Sequence, residues 1–128
     1  MEEIIIDTSS ILFAVANKAD IFEAAYGHLG LIPVISTGIT AELRKISAGP
    51  GPRKKQAIVA IKIIEKHSVK TYPNDKYVDS WILEASKHIK SVCTNDVKLR
   101  RLLLENEIKV YTMSKSGFLR RVSINRRR

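Results

Sequence analysis

Four acidic residues stand where a folded chain could bring them to one site. Asp7 and Asp96 each follow a short apolar run that is rich in β-branched residues, which predicts a buried strand. Binding sites in open parallel sheets form beyond the carboxyl ends of the strands, so both aspartates are expected at that edge. Glu42 lies one turn into a predicted helix and Asp79 at the start of another, each beside an apolar stripe. If the four converge, they form one carboxylate-lined site.

Such a site would carry a charge of about −4, and carboxylates that close stay ionised only when a cation neutralises them. Oxygen-only ligands suit Mg²⁺ or Mn²⁺. Two such ions can activate water and stabilise the leaving oxygen of a phosphodiester. Taken singly, each acid also has an ordinary explanation, because an aspartate after a strand often caps a helix and an acid on a helix is often solvated.

Charge is unevenly distributed along the chain of 128 residues, whose net charge is +9. Residues 1–43 have a net charge of −5, residues 44–70 of +7, and residues 108–128 of +7, while residues 71–107 are balanced. Two basic segments in a chain that also carries carboxylates favour a polyanion such as nucleic acid as the partner. A surface of solvated lysines is the alternative explanation.

Length and composition predict one soluble globular domain with its own core and exclude collagen-like, mucin-like and wholly disordered classes. No apolar run reaches the ~18 residues of a membrane-spanning helix, so no membrane association is predicted. The acidic start is unlike a signal peptide, and the single Cys93 cannot form an internal disulfide, so we expect a cytoplasmic protein. Glycine-rich phosphate-binding motifs are missing, which argues against a nucleotide cofactor.

Short apolar runs alternate with helical patterns, which predicts βαβ units and a parallel sheet. We expect residues 1–113 to form the domain and residues 114–128 a basic tail. The predicted strands are residues 3–6, 31–35, 69–72, 91–94 and 108–111. The predicted helices start at residues 7–10 and 95–96 and cover residues 20–29, 36–47, 53–67 and 77–89.

Four segments, residues 4–9, 40–43, 78–82 and 93–99, resemble in order, spacing and apolar context the four acidic motifs of the PIN domain family. The resemblance implies a three-layer α/β/α fold with a central parallel sheet and a Mg²⁺- or Mn²⁺-dependent ribonuclease that cuts single strands. It implies that Asp7, Asp79 and Asp96 hold one ion and that Glu42 holds a second ion or its water. Two or three positions beyond Asp96, where many members have a further acid, this chain has lysine and leucine.

The resemblance also implies which residues support the four acids, whereas the charge distribution predicts which residues bind RNA. Thr8 or Ser9, together with Thr94, take the positions of hydroxyls that orient the carboxylates, and Asn95 stands beside the fourth acid. The expected RNA-binding residues are basic ones of the two positive segments, namely Arg44, Lys45, Arg53, Lys54, Lys55, Lys62, Lys66, Arg120, Arg121, Arg126, Arg127 and Arg128.

The expected activity is that of an endoribonuclease, and its biological role stays open between two branches. The Thr-Asn-Asp motif and the basic tail resemble archaeal relatives of the pre-rRNA-cleaving PIN endonucleases more than VapC-type toxins. A module that binds RNA or the ribosome without cutting is the competing class. Possible partners are a second copy of the chain, a ribosome-assembly factor, or an antitoxin-like protein on the helices at residues 20–29 and 53–67.

The remaining candidate residues have ordinary interpretations. The three histidines, His28, His67 and His88, show no ligand spacing and are expected at the surface or in simple hydrogen bonds. Trp81 and Tyr77 could stack on bases, but packing in the core or at an interface is the favoured interpretation.

Overall fold

Six strands and six helices make up the part of the chain that the computed structural model describes, residues 1–75 and 77–123. The strands are β1 (Glu3–Ile6), β2 (Ile32–Ser36), β3 (Lys70–Tyr72), β4 (Ser91–Cys93), β5 (Lys109–Met113) and β6 (Leu119–Val122). The helices are α1 (Thr8–Ala16), α2 (Ile21–Leu29), α3 (Thr37–Ala48), α4 (Lys54–His67), α5 (Val78–Ala85) and α6 (Val97–Glu105).

The strands form one sheet in the order β3-β2-β1-β4-β5-β6, and only the β5–β6 pair is antiparallel. From β1 the chain proceeds to β2 and β3 on one side and returns to β4 and β5 on the other. Because crossovers between parallel strands are right-handed, the helices of the two halves cover opposite faces. The predicted α/β fold with three layers is therefore confirmed.

The central strand β1 explains where the core lies. Ile4, Ile5 and Ile6 are all fully buried, as expected for a strand that has neighbours on both sides and helices on both faces. Pro33 is tolerated inside β2 because pairing with β3 begins only at Val34, so no ladder bond is lost.

Polar residues at the strand ends start the helices that follow. Asp7, Ser36 and Asp96 each accept hydrogen bonds from the first backbone amides of α1, α3 and α6, as helix-capping side chains do. Gly30 ends α2 in the left-handed conformation (φ 66°), where a side chain would be strained. These local signals are why most predicted element starts agree with the structure.

One strand was not predicted, and two elements end more than one residue away from their predicted ends. The strand β6 was not among the predicted strands, although it lies in the segment expected to be a basic tail. Helix α5 ends at Ala85, four residues early, because the chain turns at residues 86–88. Strand β5 continues to Met113 because β6 pairs with its last four residues. The predicted RNA-binding residues Arg126, Arg127 and Arg128 lie outside the described residues.

Candidate active site

Two of the four predicted acids follow the carboxyl ends of the central strands β1 and β4, where the strand order of the sheet reverses. β1 and β4 lie side by side at the centre, and the Asp7 amide donates to the Cys93 carbonyl oxygen at 2.9 Å. The chain leaves β1 toward one side of the sheet and leaves β4 toward the other. Open α/β sheets bind ligands at the carboxyl ends of two such strands. Asp7 follows β1 directly, and residues 94–96 follow β4.

Asp7 is buried and held by hydrogen bonds on both oxygens. Its Oδ1 accepts from the Thr8 amide at 2.8 Å. Its Oδ2 accepts from the Ser9 hydroxyl at 2.9 Å and from the Thr94 hydroxyl at 2.8 Å. Two of the hydroxyls predicted to orient the carboxylates, those of Ser9 and Thr94, therefore contact Asp7.

The loop after β4 is tied to the same network. The Asp96 amide donates to Thr94 Oγ1 at 3.1 Å, and the Asn95 amide donates to Ser9 Oγ at 3.0 Å. Asp96 Oδ1 accepts from two amides of α6, those of Lys98 at 2.9 Å and Leu99 at 3.1 Å. Asp96 thus caps its helix with one oxygen and faces the site from a fixed backbone.

The Asn95 side chain points away from the carboxylates. Its Oδ1 accepts from the Met113 amide at 3.0 Å and from the Ser10 hydroxyl at 2.6 Å, and its Nδ2 donates to the Met113 carbonyl at 3.1 Å. It therefore joins α1 to the end of β5 and supports the site through its backbone.

Glu42 and Asp79 reach the site from helices α3 and α5. Thr8 Oγ1 donates to Glu42 Oε1 at 2.5 Å, which links the second acid to the residue after Asp7. Asp79 lies in the first turn of α5. The loop before α5 is fixed by Asn74, whose Oδ1 accepts from Ser36 Oγ at 2.8 Å and whose amide donates to Thr37 Oγ1 at 2.9 Å.

All four acids line one cavity of about 380 Å³ at the surface. Its other lining residues are two neighbours of Asp7, two basic residues and one apolar residue, namely Thr8, Ser9, Lys45, Arg53 and Ile46. The sequence-predicted set of carboxylates is therefore brought to a single concavity, with two of the predicted RNA-binding residues on its rim.

Burial and mutual repulsion perturb two of the four carboxyl groups. Burial raises the pKa of Asp7 above its ordinary value, the charge of Asp79 raises it further, and the hydroxyls of Thr94 and Ser9 oppose the shift. Burial also raises the pKa of Asp79, and the charge of Asp96 adds to that effect. Asp7, Asp79 and Asp96 thus form a chain of interacting negative charges that a cation would relieve.

The donor set fits a divalent cation by its chemistry, since it consists of carboxylate oxygens, the ligands that Mg²⁺ and Mn²⁺ prefer. The four acids are nevertheless spread wider than one compact ligand set. Within residues 1–75 and 77–123, the only three ligand residues whose atoms all lie within 4.8 Å of one another are Asp20, Glu23 and His67.

This other group lies away from the cavity, on α2 and at the end of α4. His67 Nε2 lies 2.6 Å from Asp20 Oδ2, so the pair joins the end of one helix to the start of the other. The expectation that His67 makes a simple hydrogen bond agrees with this contact. Its partner could not be found from spacing, because the two residues are 47 positions apart.

The predicted RNA-binding residues of α3 and α4 lie at different distances from the cavity. Lys45 and Arg53 line it, and exposed Arg44, Lys54 and Lys55 lie next to them in the chain. Lys66, in contrast, lies 13 residues beyond Arg53, which is about 20 Å along the helix at 1.5 Å per residue. The structure therefore brings part of this basic segment to the site and leaves its end remote.

Two aromatic residues near Asp79 differ in their surroundings. Trp81 packs against the core beside Tyr72, with ring centroids 6.4 Å apart. Tyr77 is 87% exposed just before α5, so it does not pack in the core of this chain. Ser10, which lies in the predicted start of the first helix, is fully buried and donates to Asn95 Oδ1.

Comparisons with known proteins agree with this geometry. The profile of the PIN-like domain family matches residues 4–115. The structure of the PIN domain endonuclease Utp24 is similar with a TM-score of 0.74 and 27% identity, over 97% of this chain and 96% of that chain. A domain of a functionally unknown protein from Methanocaldococcus jannaschii DSM 2661 shares the fold alone, with a TM-score of 0.59, 12% identity, and coverage of 100% and 97%.

A search of curated proteins gives no significant match. Helices long and apolar enough to cross a membrane are not found among the described residues. The family profile spans most of the chain, and it includes all four acids and the strands that present them. The chain therefore belongs to the PIN-like domain family.

Proposed function

We propose that this protein is a Mg²⁺- or Mn²⁺-dependent endoribonuclease that hydrolyses phosphodiester bonds of single-stranded RNA. The observation that carries the proposal is the cavity where Asp7, Glu42, Asp79 and Asp96 meet beside Lys45 and Arg53. The similarity to an endonuclease of the same family supports a nuclease. The net charge of +9 supports a polyanionic substrate.

In this proposal the side chains of Asp7, Asp79 and Asp96 would draw closer together to hold one ion, and Glu42 would hold a second ion or its water. When bound, the ion would supply Lewis acidity, which lowers the pKa of water so that hydroxide is available near neutral pH to attack a phosphodiester. Oxygen of the water bonds to phosphorus as the bond from phosphorus to the 3′ oxygen breaks. The water loses one proton and the 3′ oxygen gains one, so the products are a 3′ hydroxyl and a 5′ phosphate.

The chain's own residues prepare this step. Ser9 and Thr94 favour the ionised form of Asp7 by donating to Oδ2, which opposes the rise in pKa that burial causes, and Thr8 fixes Glu42. Lys45 and Arg53 on the rim neutralise the phosphate that approaches four carboxylates. The site thus combines fixed ligands with basic groups for the substrate backbone.

The biological role we propose is processing of ribosomal RNA in the cytoplasm. A VapC-type toxin is the alternative, and a small antitoxin-like gene beside this one would favour it. An antitoxin-like partner would cover α2 and α4. The other proposed partners are a second copy of the chain and a ribosome-assembly factor. A module that binds RNA without cutting is the remaining alternative.

Cleavage of total RNA and of a single-stranded oligonucleotide, with Mn²⁺, Mg²⁺ or EDTA, tests the activity. We expect cleavage with either metal and none with EDTA. Asp96→Asn should lower the rate by well over ~100-fold, more than the 10- to 100-fold loss typical for residues that only support a metal ligand. Asparagine caps helices as well as aspartate does, so α6 should stay folded.

Asp20→Asn is the matched control, because Asp20 caps α2 in the same manner and lies outside the cavity. It should leave cleavage unchanged. If the protein binds RNA but does not cleave it with either metal, the proposed nuclease function is wrong and the protein is an RNA-binding module. If the Asp96→Asn variant were as active as the unmodified protein, Asp96 would have no role in catalysis.

A further inference from the structure

A second concave surface, of about 610 Å³, lies between α6 and the β5–β6 pair. Arg100 and Arg101 of α6 line one side, and Arg120 and Arg121 of β6 line the other. Its apolar lining residues are Val97, Leu104 and Val122, and Glu105 is the only acid among the residues that line it. We call this surface the arginine groove.

The pairing of β5 with β6 determines which arginines face the groove. Arg120 pairs with Thr112, and Arg121 pairs with Tyr111. Paired residues of antiparallel strands share a face, and successive residues alternate between faces. Thr112 lines the groove, so the Arg120 side chain is on the groove side, whereas the Arg121 guanidinium lies over the Tyr111 ring, 5.8 Å from its centre.

The groove adjoins the acidic cavity. Asp96 lines the cavity, and the next residue, Val97, lines the groove. Arg100 lies four residues after Asp96, which is about 6 Å along α6 at 1.5 Å per residue. Basic groups therefore lie both in the lining of the cavity, at Lys45 and Arg53, and beyond Asp96, in the arginine groove.

We propose that the arginine groove binds the phosphate backbone of the same RNA strand that enters the acidic cavity, and so extends the substrate site beyond the bond that is cut. This inference rests on the proposed function. Arginine suits this task because its planar guanidinium binds phosphate through two hydrogen bonds. An acidic peptide would match the charge, but continuity with the cavity favours the strand that the cavity holds.

The test is binding of a fluorescently labelled single-stranded RNA in EDTA, so that cleavage plays no part, over a series of salt concentrations. Simultaneous replacement of Arg100, Arg101 and Arg120 by alanine should flatten the slope of log K against log salt by about two, at roughly 0.7 per lost phosphate contact. In the cleavage assay the same variant should raise KM and leave kcat within a few-fold.

The matched control replaces Lys87, Lys90 and Lys109 by alanine. It removes the same charge near the amino-terminal ends of β4 and β5, which is the end of these strands opposite to the acidic cavity. This control should keep the slope of the unmodified chain. A variant with lysine at the three groove positions should keep most of the slope but bind more weakly, because lysine lacks the planar fork.

The outcomes separate this proposal from the proposed function. If the unmodified chain binds no single-stranded RNA, both proposals fail. If the unmodified chain binds RNA, but the salt slope of the alanine variant of the groove equals that of the control lacking Lys87, Lys90 and Lys109, only the groove proposal fails. Binding of polyglutamate that depends on the three arginines, with RNA binding unchanged, would identify the groove as a protein-binding surface instead.

Discussion

At the scale of single residues, Asp7 shows that capping a helix and lining a site are compatible tasks. One carboxylate oxygen accepts from the Thr8 amide at the start of α1, and the other accepts from two hydroxyls. Asp96 caps α6 through Oδ1 and lines the same cavity. The two explanations that the sequence leaves open for an aspartate after a strand are therefore both satisfied by the same residue.

Cys93 provides a prediction about pH. Burial raises the pKa of its thiol to about 12, although the Ser10 hydroxyl opposes the shift. In the unfolded chain the thiol ionises near its ordinary pKa of about 8.5, so unfolding should become progressively more favourable as pH rises above that value. Urea denaturation at pH 8 and at pH 10 should show a loss of stability that Cys93→Ala partly removes.

A thiol reagent checks the same residue independently. At pH 8 the native protein should react only as fast as it unfolds, because the thiol is fully buried and protonated. The urea-unfolded chain should react at once. Rapid modification of the native protein would contradict the burial of Cys93.

At the scale of elements, the contact between α3 and the loop before α5 sets the position of Asp79. Gly38 lies in the first turn of α3, and a Cβ there would overlap Asn74 Oδ1 and lie 2.9 Å from Asn74 Cγ. Asn74 in turn binds Ser36 and Thr37. A side chain at position 38 would therefore displace the loop that leads into α5.

We expect Gly38→Ala to destabilise the protein by about 1–3 kcal/mol, the usual cost of forcing extra atoms into a packed site. It should also reduce cleavage, because Asp79 follows the displaced loop. Gly27→Ala is the control, since nothing lies within 4 Å of its Cβ and it is inside α2. That substitution should be neutral or stabilise by up to about 1 kcal/mol. Equal urea midpoints for the two variants would contradict the role of Gly38.

Strand β6 ties the end of the described chain to the body of the protein. Leu119 is buried and pairs with Met113, and Phe118 lies against His28 with ring centroids 4.8 Å apart. We expect Leu119→Ala to cost about 2–4 kcal/mol in urea denaturation, as for other buried leucines. Deletion of residues 123–128 should cost less than about 0.5 kcal/mol and leave the melting temperature within a degree or two.

The same deletion should weaken RNA binding at low salt and have little effect at high salt, because it removes three arginines at the end of the chain. Cleavage at saturating RNA should stay within a few-fold. Unchanged RNA binding at low salt would exclude these residues from the RNA contact. A large loss of stability would instead place them in the folded body.

At the scale of the whole molecule, basic residues extend from the acidic cavity along α4. Lys55, Lys62 and Lys66 are exposed on this helix. If they contact phosphates, their joint replacement by alanine should flatten the salt slope by about two units. Because Lys66 is far from the cavity, the effect should be larger for a long RNA than for a short one. If the salt slope is unchanged with both RNAs, these three lysines of α4 face solvent and do not contact RNA.

The local content of the sequence was sufficient to predict most elements and the acids of the site. Some signals act through neighbours only a few positions away, so they can be found without a structure. They are the β-branched runs, the helix caps at Asp7, Ser36 and Asp96, and Gly30 at the end of α2. The resemblance to the PIN domain family rests on four such local segments, and the family match confirms it.

Contacts between distant segments were decided only by the tertiary structure. Leu-Arg-Arg-Val shows no strand periodicity, and β6 forms because β5 offers it an open edge to pair with. The same strand order brings Arg120 opposite Arg100, Asn95 against Met113, and His67 against Asp20. Spacing along the chain does not encode such pairs, because they depend on which strands lie side by side and which faces their helices cover.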